Sequence, residues 1–128
     1  MTPMLVVYFF VVLALKHFVC DFPLQNAYQY KNKGIYGHPG GILHAGIHAI
    51  GTLLALSACV LPLSMLLWLV LADGVIHYHI DWAKVKLNTY YKLTPTTNEY
   101  FWHLLGLDQL LHYMTYAGMV WWLVYVTQ

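Results

Sequence analysis

Four apolar runs, at about residues 4–22, 42–61, 63–83 and 103–126, leave a chain of 128 residues few ways to fold. A bilayer core of ~30 Å takes about 20 apolar residues of helix, and each run is long enough. Apolar residues make up 60% of the chain and charged residues 9%, against about 45–50% and about 25% in soluble domains. The expected fold class is therefore all-α: one membrane domain over residues 1–128, an antiparallel four-transmembrane-helix bundle. The first run starts almost at Met1, without the basic leader or small-residue cleavage site of a signal peptide, and is expected to be retained.

The links between the runs set the topology. Leu61-Pro62-Leu63 reads as a tight turn in which proline stops one helix and opens the next. Residues 26–41 and 84–99 read as polar linkers, the first broken by Gly34, Gly37, Pro39, Gly40 and Gly41. No internal repeat of fixed period is present, although both halves follow a helix–linker–helix plan. Up-down-up-down threading puts both linkers on one side, with Lys31, Lys33, Lys84, Lys86, Lys92 and, near the end of the first helix, Lys16. By the positive-inside rule that side is cytoplasmic and both termini face outward, which in a bacterial inner membrane means the periplasm. Trp82 and Trp102 near one interface, and Trp121 and Trp122 near the other, suit an aromatic belt; Trp68 does not. Gly46, Gly51 and Ala55 are expected to let the second helix approach a neighbour closely. All six basic residues are lysine and the net charge is +1, which argues against nucleic-acid binding. Cys20 and Cys59 fall at opposite ends of the bundle, on the order of 20 Å apart in depth. They read as packing residues.

In a helix, residues four apart share a face, and that spacing recurs in a polar form on every run. The first carries His17 and Asp21, the second His44 and His48, the third His77 and Asp81 with Asp73 one turn deeper, and the fourth Asp108 and His112. These pairs lie late in the first and third runs and early in the second and fourth, which antiparallel packing makes the same end. An Asp near the middle of a span costs ~2.5–3.5 kcal/mol on insertion scales, so something must compensate the set. Neutral imidazoles and carboxylates are natural ligands of a divalent cation, and His17, Asp21, His44, His48, His77, Asp81, Asp108 and His112 form the candidate ligand set. One tetrahedral ion uses about four ligands. The reading is one or two ions, zinc first and iron, manganese or nickel next, with unused residues orienting the ligands. Taken singly, each pair is equally explained as hydrogen bonding between helices. His44 and His48 have the zincin spacing without its intervening glutamate.

Asp73 reads as an acceptor for His77, as a proton-relay residue or, equally, as a partner in a hydrogen bond within the bundle. Gln25 and Gln109 are placed to hydrogen-bond a ligand carboxylate, or simply lie at the polar interface, the reading preferred for both. Lys84 is placed to pair with Asp81 or to meet an anionic substrate, whereas Lys16 reads as snorkelling to the interface. His38, His79 and His103 lie off the main faces and read as peripheral.

The pattern His17-x-x-x-Asp21-Phe22-x-Leu24-Gln25, His44, His77-x-x-Ile80-Asp81-x-x-Lys84, Asp108-Gln109-x-x-His112 resembles an uncharacterised family of small bacterial and phage integral-membrane proteins, defined only as a domain of unknown function. The resemblance covers nearly the whole chain and marks these positions without supplying an activity. A looser similarity, in residue types and layout, is to bacterial inner-membrane metal-dependent hydrolases.

The leading expectation is a metal-dependent hydrolase acting at the cytoplasmic interface on a lipid or lipid-linked phosphoester, with membrane lipids as its surroundings. Asp21, Asp81, Asp108 and Lys84 would be its catalytic residues, one unligated aspartate acting as base. Two alternatives stand beside it. One is a non-enzymatic interaction module whose His/Asp cluster is structural; the other is a metal or proton transporter or sensor, for which a continuous polar path would require a homo-oligomer. Haem ligation by paired histidines is disfavoured by the aspartates that share the site.

Overall fold

The computed structural model describes residues 2–57 and 60–127, and among them helices joined by turns are the only regular structure. Five helices follow in order: α1 Pro3–Asp21, α2 Ala27–Asn32, α3 Pro39–Ser57, α4 Leu63–Tyr90 and α5 Tyr100–Val126. Cys59 lies outside the described residues, and Cys20 is buried.

Local chemistry sets the ends. Pro3 opens α1 behind Thr2, whose hydroxyl accepts the Leu5 N–H at 3.4 Å; proline at the first helical position lacks only a donor that would have no intrahelical partner. The helix stops at Asp21, with Phe22 as its cap still donating to the Phe18 carbonyl, because Pro23 has no N–H to carry the ladder on. Pro62 likewise caps α4. At the other end of α4, Lys92 takes a left-handed φ of 53° as the chain turns towards α5.

Two linker readings are corrected. The first linker contains α2, opened by a capping box in which Asn26 accepts the Gln29 N–H at 3.1 Å and Gln29 accepts the Asn26 N–H at 2.9 Å. Gly40 and Gly41 are not breakers, since both lie in the first turn of α3. They are there for proximity: a Cβ on Gly40 would meet the Tyr28 carbonyl at 2.7 Å, and one on Gly41 would meet Lys33 Cα at 3.2 Å. The second linker is shorter than expected because α4 runs on to Tyr90, 28 residues in all, or about 42 Å. The Gly46 expectation is also corrected, since a Cβ there meets nothing within 4 Å; Gly51 is the close approach, 2.9 Å from Lys16 Cγ and 3.2 Å from Cys20 Sγ.

α1 packs on α3 and α5, and α4 packs on the same two helices, while α2 rests on α3. The late part of α1 meets the early part of α3 and the early part of α5, so chain direction alternates between neighbours. Away from the linkers, an apolar plug of Phe9, Leu13, Leu56, Leu69, Val120 and Leu123 fills the interior. Towards the linkers the interior turns polar. Among the described residues the buried set includes Lys16, His17, Asp21, His44, His48, Asp73, His77, Asp81, Asp108 and His112, while Leu54, Trp68, Leu71 and Trp121 are each more than half exposed. Burying charge and exposing large apolar side chains inverts the soluble pattern. Three helices, α1, α3 and α4, are long and apolar enough to cross a membrane. α5 has 27 residues but is not among them, its hydropathy lowered by Asp108, Gln109 and its two histidines.

Leucine at Gly51 is expected to destabilise the protein by about 1–3 kcal/mol through overpacking against Lys16. Alanine at the uncontacted Gly46 should instead stabilise by about 0.5–1 kcal/mol through helix propensity. Denaturant titration in detergent micelles measures both, and equal shifts would remove the claim that Gly51 is a contact glycine.

Candidate metal centre

The interior at the linker end is organised by two carboxylates. Asp21, last residue of α1, points Oδ1 at two turns of α3, with Nε2 of His44 and of His48 each at 3.1 Å. Its Oδ2 lies 3.1 Å from Nε2 of His17, one turn back on α1, and 3.4 Å from Nε2 of Gln109 on α5. Asp81 plays the matching part on α4. Its Oδ2 is 3.1 Å from His44 Nε2, 3.2 Å from His77 Nε2 and 3.0 Å from the Lys33 ammonium. His112 and Asp108 complete the set from α5, with His112 Nε2 3.6 Å from Asp108 Oδ1 and 3.8 Å from Asp81 Oδ1. The imidazole planes crowd together: His48 and His77 stack at 3.5 Å between centroids, and His77 and His112 at 4.2 Å.

All eight residues of the sequence-derived ligand set therefore meet, and each is at least 92% buried. Their ligand atoms form three overlapping groups within 4.8 Å: Asp21, His44, His48 and His77; His17, His77 and His112; and Asp81, Asp108 and His112. In the first group, His44 Nε2 is 3.2 Å from His77 Nε2 and 3.1 Å from Asp21 Oδ1. Ligand atoms on a tetrahedral zinc with bonds of 2.0–2.1 Å stand about 3.3 Å apart, so this spacing suits one ion. In the third group, Asp81 Oδ1, Asp108 Oδ1 and His112 Nε2 are buried with no hydrogen-bond partner among the described residues. Leaving such groups unsatisfied costs about 1–3 kcal/mol each, and a cation there would satisfy all three. Charge points the same way. Four buried aspartates, Asp21, Asp73, Asp81 and Asp108, face three lysines, Lys16, Lys33 and Lys84, which with neutral imidazoles leaves one negative charge over.

Around this set the expected orienting residues are placed unequally. Gln109 lies among three candidate ligands, with Oε1 3.2 Å from His17 Nε2 and Nε2 donating to Asp108 Oδ2 at 3.1 Å. Gln25 donates to the backbone carbonyl of Asp21 rather than to its carboxylate, because the helix has ended and its side chain folds back on the last turn. Lys84 does not reach Asp81; its ammonium lies 3.8 Å from Asp108 Oδ2. His79 contacts Tyr36 and the Val75 carbonyl, away from the cluster.

Lys16 requires correction, and Asp73 takes the plainest of its readings, a bond within the bundle. Asp73 does not accept from His77, and Lys16 does not snorkel. The two form a buried ion pair at 2.6 Å, one turn deeper than the cluster. Thr52 donates to the same Asp73 oxygen at 2.5 Å, and Lys16 also donates to the Tyr116 hydroxyl at 3.1 Å. Tyr116 in turn contacts His17 Nδ1 at 3.0 Å, fixing that ring as outer hydrogen bonds commonly fix a ligating imidazole. Lys16, Lys33, Thr52 and Tyr116 were not identified from spacing. A depth argument finds the first: Asp73 lies two turns before Asp81, about 12 Å, and Lys16 lies five residues before Asp21, about 7.5 Å. The long lysine stem closes that gap. Lys33 caps the end of α2, whose signal was the Asn26–Gln29 capping box.

Replacing Lys16 with methionine should cost about 3–5 kcal/mol, the penalty for stranding a buried partner charge. Adding Asp73→Leu to that variant should recover most of it, so that a double-mutant cycle in detergent gives a coupling energy well above 1 kcal/mol. Additive single effects would show that the pair does not interact.

No curated protein and no solved structure matches the chain. A family model described as protein of unknown function (DUF3307) matches residues 9–128, which take in every residue of the cluster, and the chain belongs to that family.

Proposed function

We propose that this protein is an integral membrane metal centre, with all four long helices crossing the bilayer as an antiparallel bundle. In this reading its His/Asp cluster holds one or two divalent cations, zinc foremost, and hydrolyses a lipid or lipid-linked phosphoester at the cytoplasmic interface. The observation that carries the metal is the convergence of five imidazoles and three carboxylates from four helices at ligand spacing. The packing of α5 on both α1 and α4 supports it as the fourth span, and the lysines on the linker side support a cytoplasmic site.

The cation would supply a polarised phosphoryl oxygen and a water acidified towards a pKa of about 7. The chain's own residues divide the remaining work. Asp21 and Asp81 are engaged by imidazoles on both oxygens or by lysine. Asp81 and Asp108 each have a buried Oδ1 with no hydrogen-bond partner among the described residues; of the two, Asp108 has its imidazole and lysine neighbours at 3.6 and 3.8 Å, against 3.0–3.2 Å on Asp81 Oδ2, and is the better suited to take a proton from water. Lys84 stands beside it to meet the anion.

One observation favours a second reading. Ligands as buried as His17 and His48, both 0% exposed, suit a closed structural site, since catalytic centres keep a position open. Transport has less support. The polar interior continues from the cluster to Lys16, Asp73 and Thr52, and beyond them stands the apolar plug of Phe9, Leu13, Leu56, Leu69 and Leu123.

Elemental analysis of protein purified in detergent should find one or two divalent ions per chain, with the content lost in His48→Ala and Asp81→Ala. Metal with turnover of a lipid phosphoester supports the enzyme; metal without turnover on any lipid phosphoester supports the structural reading; absence of metal removes both. For topology, single cysteines placed at Lys92 and Thr127 in a background with Cys20 and Cys59 changed to serine should label from opposite sides of the membrane. Labelling from the same side would show that α5 does not cross.

A further inference from the structure

A groove of ≈ 420 Å³ runs along the outside of the molecule between α4 and α5, and its polar residues include Lys84 and Asp108 of the site. Its remaining walls are chiefly aliphatic, from Val75 and Ile76 at one end, past Ile80 and Leu107, to Leu87 at the other. From Val75 to Lys84, the headgroup position, is nine residues of α4, about 13.5 Å, a little under half of a ~30 Å hydrocarbon core. The groove is therefore one leaflet deep. Asp108 is 3% exposed and its Oδ1 lacks a hydrogen-bond partner. Lys84 stands nearer the linker end, its side chain 17% exposed and its ammonium 3.8 Å from Asp108 Oδ2, beyond hydrogen-bond distance.

We infer that this groove seats one hydrocarbon chain of a phosphate-bearing lipid from the linker-side leaflet, and brings its headgroup sideways between α4 and α5 to the cluster. The inference rests on the functional reading above and adds to it the form of the substrate and its path. Its charge logic is specific. The aliphatic walls accept the chain with its tail towards the bilayer centre, and Lys84 meets the phosphate at headgroup depth. Asp108 repels that phosphate until a cation on the cluster offsets it. A lateral path also answers the burial of the ligands, because Asp108 belongs both to the groove and to the third ligand group. Beyond the headgroup position the groove adjoins a second hollow through Leu104 and Leu107, which leads to Tyr91 and Tyr100 and leaves room for a larger headgroup.

The test uses full-length, metal-loaded protein and a dioleoyl phosphonate analogue of phosphatidic acid, whose carbon–phosphorus bond resists hydrolysis, so that binding is read without turnover. Native mass spectrometry should show one phosphonate lipid retained per chain, in preference to phosphatidylcholine. Leu107→Trp, which fills the groove, should reduce retention at least fivefold with metal content unchanged, and Leu110→Trp, of equal bulk outside the groove, should not. Ile76→Trp at the deep end provides the same test if Leu107→Trp does not yield folded protein. Lys84→Met should retain lipid but bring the two headgroups to parity. Retention unaffected by both tryptophans overturns the inference, as does a wild-type dimer that Leu107→Trp dissociates, which would make a second copy the occupant. Lipid bound in the groove without turnover of any phosphoester would leave the seat standing and remove only the hydrolase.

Discussion

Asp21 is the pivot of this structure. A carboxylate in an apolar interior must be met by donors or counter-charges, because the alternative is a desolvation cost of several kcal/mol. Asp21 meets that demand by drawing imidazoles from its own helix and from two turns of α3, together with an amide from α5. Asp81 does the same from α4, and His44 lies between the two. Three of the four long helices are thus tied through one aspartate, and α4 is joined to them through the second. The register of the helices follows from this pair more than from the apolar contacts, which are close-packed chiefly at the far end.

The deeper pair gives the polar interior a floor. Lys16 links three features that would otherwise be separate: Asp73 on α4, Tyr116 on α5 and, at 3.4 Å, His48 on α3. Gly51 makes room for its stem on the α3 side. Below it the interior is hydrocarbon, and above it Lys33 closes one side of the cluster from α2. In the lipid-hydrolase reading proposed above, substrate would reach a site bounded in this way sideways, between helices.

Much of the cluster was legible because helical periodicity and alternating chain direction are both simple. His17 and Asp21 must share a face, as must His44 and His48, and antiparallel order brings their ends together. Reach was not legible. Lys16 is adjacent to His17 and therefore points to another side of α1, and only the length of its side chain returns the ammonium to the interior. Lys33 was hidden in a segment whose glycines read as breakers, although Gly34 packs tightly on Val85 and Gly40 on Tyr28. Glycine marks loops and close contacts alike, and sequence spacing does not separate them. Gln25 was misplaced for a related reason: it continues the α1 face only if the helix continues, and Pro23 ends it.

The inverted distribution of polarity has a consequence for how such a chain can drift. Outward positions such as Leu54, Leu71 and Trp121 are asked only to be greasy, so many residues serve equally and substitutions there leave little trace. Inward positions answer to one another, and a change at Asp21 or Lys16 is tolerated only with a matching change elsewhere. Distant descendants of this fold should accordingly share little beyond a few polar islands near helix ends, set in hydrocarbon that resembles any other membrane protein's. Ancestry would then be traced through a handful of letters whose spacing is constrained, rather than through overall similarity.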